Sequence, residues 1–151
     1  MRRKKARKHY RRINMSVISE LIRSESDGSI SFGDYSLSAK AKRDNFEQKG
    51  DLYKVKTFQE ITKLERNGMF VYESVPGTAV TGFLATEEAV SFQVEGKEDA
   101  QITLELEAGK EYDIVIDGTD AGAMKTNLGG KLSFSVEMDG SSPIAVKIAK
   151  K

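Results

Sequence analysis

The chain has no cysteine, no tryptophan, a single histidine and two prolines in 151 residues. Without thiols it has no disulfide framework, no thiolate nucleophile and no zinc–sulfur site. Without tryptophan it lacks the best sugar-stacking platform, and with only His9 it has almost no imidazole for acid–base or metal chemistry. Ser74, Ser141 and Ser142 therefore lack the base that a serine nucleophile needs. No apolar run approaches the roughly 20 residues of a membrane helix, so no membrane association is expected. No cofactor and no metal is expected either.

What is present is alternation. Val90-Ser91-Phe92-Gln93-Val94, Ile102-Thr103-Leu104-Glu105-Leu106 and Tyr112-Asp113-Ile114-Val115-Ile116 place apolar and polar residues in turn. Leu132-Ser133-Phe134-Ser135-Val136-Glu137-Met138 and Ile144-Ala145-Val146-Lys147-Ile148 continue the pattern. Successive strand side chains point to opposite faces, so a period of two means one dry face and one wet face. Glu-Ala-Gly-Lys, Asp-Gly-Thr, Leu-Gly-Gly and Asp-Gly-Ser-Ser separate the runs. The fold expected is all-β: an antiparallel β-sandwich, immunoglobulin-like or jelly-roll, over residues 69–151. A smaller β-rich segment, residues 15–68, is expected to precede it.

Within that segment, Leu52 to Phe58 reads as a strand, and Ile61 to Glu65 pairs with Phe70 to Tyr72 through Asn67-Gly68, a strong hairpin signal. Pro76-Gly77 ends the hairpin, because proline lacks the ladder donor and glycine accepts the dihedrals of a sharp corner. Val17 to Arg23 fits a strand or a helical turn. Ser38 to Gly50 reads as charged and irregular, with alanines that permit a short helix.

The charge is uneven. Residues 1–14 hold eight bases and no acid, leaving 16 bases against 23 acids in the rest of the chain. Such a leader fits an arm that contacts nucleic acid, with His9 and Tyr10 adding stacking surface. It does not fit a signal peptide, because Met15 to Glu20 turns polar at once, and a cytoplasmic location is expected. Arg11-Arg12-Ile13-Asn14-Met15 also fits AGA-AGG-ATA-AAT-ATG, a purine-rich ribosome-binding site ahead of a start codon. The native chain is thus expected to begin at Met15, with nucleic-acid contact only if residues 1–14 are translated.

No catalytic constellation emerges. Glu87-Glu88 and the stretch Glu95 to Asp99 offer carboxylates for a two-acid hydrolase, but read more simply as solvated turn and strand-face residues. Asp113, Asp117 and Asp120 around Gly118 do not follow the calcium-loop spacing, and Asp-Gly between strands is a hairpin signal. Gly129-Gly130 precedes no helix whose N-terminus would hold a phosphate. The candidate binding residues are Tyr53, Lys54, Lys56, Phe58 and Lys63, a basic stripe beside aromatics suited to an acidic glycan or nucleic acid. The alternative is a mixed-charge outer face that guards an edge from aggregation. Tyr35, Tyr53, Tyr72 and Phe83 read as core before they read as an exposed aromatic patch.

Three stretches carry a resemblance: Gly50 to Phe58 (GDLYKVKTF), Glu60 to Glu65 (EITKLE) and Val71 to Val80 (VYESVPGTAV). With Lys125 to Ser133 (KTNLGGKLS) they resemble a family of short Firmicute proteins commonly named endosialidase, over most of residues 15–151. The name implies hydrolysis of polysialic acid. Sialidases use an arginine cluster, a tyrosine nucleophile with a glutamate partner, and Asp-box repeats ending in tryptophan. This chain has no Asp-box, and after the leader only Arg23, Arg43 and Arg66 remain, so no catalytic residue carries over. Tyr112 to Gly118, continuing to Val136, is similar to accessory β-sandwich modules of bacterial carbohydrate-active enzymes.

The function expected is therefore a non-enzymatic β-sandwich binding or assembly module. Its partner would be a protein or glycan, and self-association is among the modes such an architecture allows. The alternatives are a glycoside-acting, sialidase-like enzyme or its carbohydrate-binding accessory domain, and nucleic-acid contact through the leader.

Overall fold

The computed structural model describes residues 17–151. The basic leader, its His9 and the start expected at Met15 lie outside the described residues. Thirteen strands and no helix make up the described chain, so it has no helix long and apolar enough to cross a membrane. The strands are β1 Ile22–Ser24, β2 Ile30–Phe32, β3 Ala41–Gln48, β4 Asp51–Phe58, β5 Ile61–Arg66, β6 Met69–Val75 and β7 Ala79–Ala85. Then follow β8 Ala89–Glu95, β9 Ala100–Glu105, β10 Glu111–Ile116, β11 Thr119–Lys125, β12 Lys131–Val136 and β13 Ile144–Lys150. They form two antiparallel sheets, one of seven strands in the order β1-β2-β7-β8-β13-β10-β11 and one of six in the order β12-β9-β6-β5-β4-β3.

The alternation in the sequence becomes the filling between the sheets. Val90, Phe92 and Val94 of β8, Tyr112 and Ile114 of β10, and Val146 and Ile148 of β13 point inward from one sheet. Ile102 and Leu104 of β9 and Leu132, Phe134 and Val136 of β12 meet them from the other. Three two-residue hairpin turns hold positive φ at both central residues: Lys49-Gly50, Asn67-Gly68 and Asp117-Gly118. That twist matches the right-handed twist of the flanking strands, and glycine accepts it without a Cβ penalty. The Asn67 amide strengthens its turn, accepting from the Leu52 N–H at 2.9 Å and donating to Asp51 at 2.9 Å.

The division expected at residues 68 and 69 falls inside the β5–β6 hairpin. Strands from both sides share both sheets: β2 pairs with β7, and β5 pairs with β6. The described part of the early segment, residues 17–68, thus adds strands to the same two sheets. Ser38 to Gly50, expected to be irregular, contains the eight-residue edge strand β3. Its charges (Lys42, Arg43, Asp44, Glu47) are the feature that hides an edge strand from a reading based on alternation, because both its faces are largely wet. The Val17 to Arg23 segment enters β1 only at Ile22.

The β1–β2 turn is tied down by a polar relay. Gly82 of β7 donates its N–H to Ser31 Oγ at 3.0 Å, and Ser31 donates onward to the Glu25 carboxylate, which Arg23 also holds at 2.9 Å. The Ser31 hydroxyl holds the Glu25 carboxyl below its ordinary range against the opposing effect of desolvation, and the Arg23 guanidinium adds smaller contributions in the same direction as Ser31. A carboxyl whose pKa is depressed on folding stabilises above the unfolded value and loses that contribution as pH falls through the folded one. Glu25→Gln is therefore expected to lower unfolding free energy by about 1 kcal/mol at neutral pH. Denaturant titrations across the acid range should show the gap to the unmodified protein closing as the carboxyl protonates; a gap independent of pH would contradict this role.

Candidate functional site: the outward face of the six-stranded sheet

Strand parity sorts the candidate binding residues. On β4, Val55 and Thr57 point into the core, and Leu52, Lys54, Lys56 and Phe58 point outward. Tyr53 falls on the inward side and packs against the core, so it is separated from the other four. On β5, Thr62 and Leu64 are buried and Lys63 faces outward. Lys54, Lys56, Phe58 and Lys63 thus share one face.

Register then builds a row. Lys42 of β3 lies directly opposite Lys56, and Lys56 lies directly opposite Lys63. Neighbouring strands are about 4.8 Å apart, so three lysines stand side by side across β3, β4 and β5. Glu73 of β6 ends the row opposite Lys63. Lys63 also approaches Glu65 at 3.7 Å, whereas the ammonium groups of Lys42 and Lys56 make no ion pair among the described residues. Like charges directly opposite one another on a sheet oppose pairing. Edge protection does not account for the β4 and β5 lysines, because both strands lie inside the sheet with β3 outside them.

A bulge adds an aromatic. The β5–β6 register slips between Leu64 and Glu65, so Leu64 faces Tyr72 but Glu65 faces Phe70. Val71 and Tyr72 consequently both reach the core, and Phe70 is turned outward. Lys131 of β12 sits 4.7 Å and Lys63 5.9 Å from the centre of the Phe70 ring. Lys40 covers Phe58 at 5.8 Å. Each ring therefore carries a cation over its face. Lys131 is also held by Glu105 at 3.0 Å.

Residue reading missed Lys40, Lys42, Phe70 and Lys131. Lys40 and Lys42 lay in a segment taken as irregular, and Phe70 in a hairpin whose bulge has no local sequence signal. Lys131 belongs to a strand more than sixty residues downstream, brought alongside only by the β6–β9 and β9–β12 pairings.

The remaining candidates disperse. Arg23 pairs with Glu25, Arg43 lies over Phe46 at 5.2 Å, and Arg66 lines a cleft at one end of the sandwich. Glu87, Glu88, Glu98 and Asp99 are exposed, but Glu95, read as a solvated strand-face residue, is buried at the end of β8. Asp120 accepts from the Gly122 N–H at 2.8 Å beyond the Asp117-Gly118 turn. Among the described residues no group of three or more histidines or carboxylates is placed to hold a metal ion. No family model, no curated protein and no solved structure matches the chain.

The lysine row gives a test of its own. Lys56→Glu replaces the middle charge by one that attracts both neighbours, so it is expected to raise unfolding free energy by about 0.2–1 kcal/mol. Thermal or denaturant unfolding checks this; a destabilised variant would mean that Lys56 is already compensated.

Proposed function

We propose that the protein is a non-catalytic binding module that takes an acidic polysaccharide across the outward face of its six-stranded sheet. The observation that carries this reading is the in-register row Lys42–Lys56–Lys63, a like-charge alignment that opposes folding and whose first two members make no ion pair among the described residues. Arrangements that cost stability and persist are commonly those that function requires. Carboxylate or sulfate groups repeated along a chain would neutralise the row, releasing counter-ions as they bind.

The aromatics favour a glycan over single-stranded nucleic acid. Base stacking needs free ring faces, and Phe58 and Phe70 each carry a lysine over one face. Lysine suits a charge-driven, geometrically tolerant contact; planar bidentate recognition is the province of arginine, and no arginine belongs to the row. Glu73 bounds the row on its β6 side, and Glu65 of β5, opposite Lys54 and 3.7 Å from Lys63, flanks it within the sheet, which confines the footprint to β3, β4 and β5.

Polysialic acid and heparin, with neutral dextran and oligo-dT as comparisons, test the reading by calorimetry or fluorescence anisotropy. The acidic glycans are expected to bind more weakly as salt rises, dextran not at all, and oligo-dT less tightly than either glycan. Lys56→Glu should cost about fivefold or more in affinity, on the scale of 1 kcal/mol per surface charge, while leaving the protein folded. Sugar release from polysialic acid at high protein concentration, or glycan affinity indifferent to Lys42 and Lys56, would overturn the proposal.

A further inference from the structure

At the end of the sandwich where the β5–β6 and β7–β8 hairpins turn, the sheets part around a cleft of about 690 Å³. Its size lies within the range of small-molecule sites. The floor is core seen from its end: Phe83, Val90 and Leu104 are each more than nine-tenths buried yet line the cleft. Met69 and Arg66 overhang the floor from the six-stranded sheet. They sit opposite one another in the β5–β6 register, and beyond the Val71 bulge both fall on the inward side of the sheet. Met69 nonetheless stays 63% exposed.

The polar groups around the cleft are unequally satisfied. Glu107 is held by Lys150 at 2.7 Å, with Lys110 at 3.9 Å, and Glu105 by Lys131 at 3.0 Å. The Tyr112 hydroxyl, 3% exposed as a residue, accepts the Glu107 N–H at 3.1 Å and donates to no acceptor among the described residues. Its proton is available to a ligand. Among the cleft-lining residues, Arg66 and Glu87 alone carry charges without an ion-pair partner. They stand on opposite lips, one on β5 and one on the turn after β7.

We propose that this cleft is a second binding site, for a small amphipathic molecule with an apolar body and a single negative charge. The body lies beneath Met69, over the narrow apolar openings left by Phe83, Val90 and Leu104, and the carboxylate accepts hydrogen bonds from the Arg66 guanidinium. Arg66 supplies a planar fork matched to a carboxylate, and covering the exposed Met69 side chain adds an apolar contribution. Glu87 sets the charge limit: a second carboxylate would meet it without compensation, so monoacids are accepted and diacids refused. Arg66 and the floor residues face between the sheets, away from the lysine row, while Phe70 and Glu105, which also line the cleft, lie on its border with the outward face.

Decanoate and its dicarboxylate counterpart decanedioate are the probes, followed by amide chemical shifts and by thermal unfolding of the full chain. Decanoate is expected to bind saturably, to shift resonances of Met69, Leu104 and Tyr112, and to raise the melting temperature; decanedioate should bind at least tenfold more weakly. Arg66→Gln is expected to cost about tenfold in decanoate affinity while glycan binding is unchanged, which separates this site from the first. Glu87→Gln should narrow the preference for the monoacid. Ala85→Trp, at the cleft lining, should block decanoate. An absence of saturable decanoate binding, or binding that Arg66→Gln and Ala85→Trp leave intact, would overturn the proposal.

Discussion

One side chain joins the two layers. Tyr72 projects from the middle of β6 in the six-stranded sheet and is fully buried among Phe32, Phe83 and Phe92, which come from β2, β7 and β8 of the opposing sheet. The three rings lie 5.3, 6.3 and 5.7 Å from it, each edge to face, the arrangement ring quadrupoles favour. A buried hydroxyl must find a partner or lose the water it gave up. Tyr72 finds Thr78 at 2.8 Å, and Thr78 also bonds Ser74 at 2.7 Å. Burial pushes the phenol pKa well up from its ordinary value, against the smaller effects of Thr78 and Ser74, so the group remains a neutral donor. The network continues on the same inner face: Thr62 donates to the Thr78 carbonyl and accepts the Thr78 N–H, and Thr57 bonds Thr62 in turn. Because the one Thr62 proton goes to Thr78, Thr57 is the donor in their pair. No side-chain polar atom is left orphaned in the described core. The network thus adds side-chain ties to the Pro76 to Thr78 crossover, whose Gly77 N–H also donates to the Gln59 carbonyl at 3.0 Å.

The pin also explains why the chain does not divide at residue 68. Phe32 belongs to the early segment and Phe92 to the late one, and both rest on Tyr72. The outward face depends on the same strand: the bulge that keeps Val71 and Tyr72 inward is what turns Phe70 out under Lys131 and lets Met69 overhang the end cleft. Core packing therefore sets where the lysine row meets its aromatic neighbours.

β8, β9, β10, β12 and β13 were legible because each has one wet and one dry face, which is the condition for period-two alternation. The hairpins at Asn67-Gly68 and Asp117-Gly118 were legible because positive φ demands those residues. β3 and β11 were not, for a shared reason: edge strands with both faces exposed have no dry face to mark. β11 is exposed at all seven positions, and its Thr-Asp-Ala-Gly-Ala-Met-Lys run has no alternation to read. In the candidate site, Lys54, Lys56, Phe58 and Lys63 were legible as a stripe along two adjacent strands, whereas Tyr53, named beside them but read first as core, faces the other way and packs against the core. Lys42, Phe70 and Lys131 required register, a bulge and long-range pairing, none of which is written locally.

The account rests on the two sheets being locked as one unit through Tyr72, and Tyr72→Phe is the most direct probe. It keeps the ring and removes only the hydroxyl that Thr78 bonds. Equilibrium unfolding in denaturant should show a single transition, lowered by about 0.5–1.5 kcal/mol for the lost buried hydrogen bond, because Thr78 keeps its bond to Ser74. Unchanged stability, or two transitions in which the strands before and after residue 68 unfold apart, would contradict it.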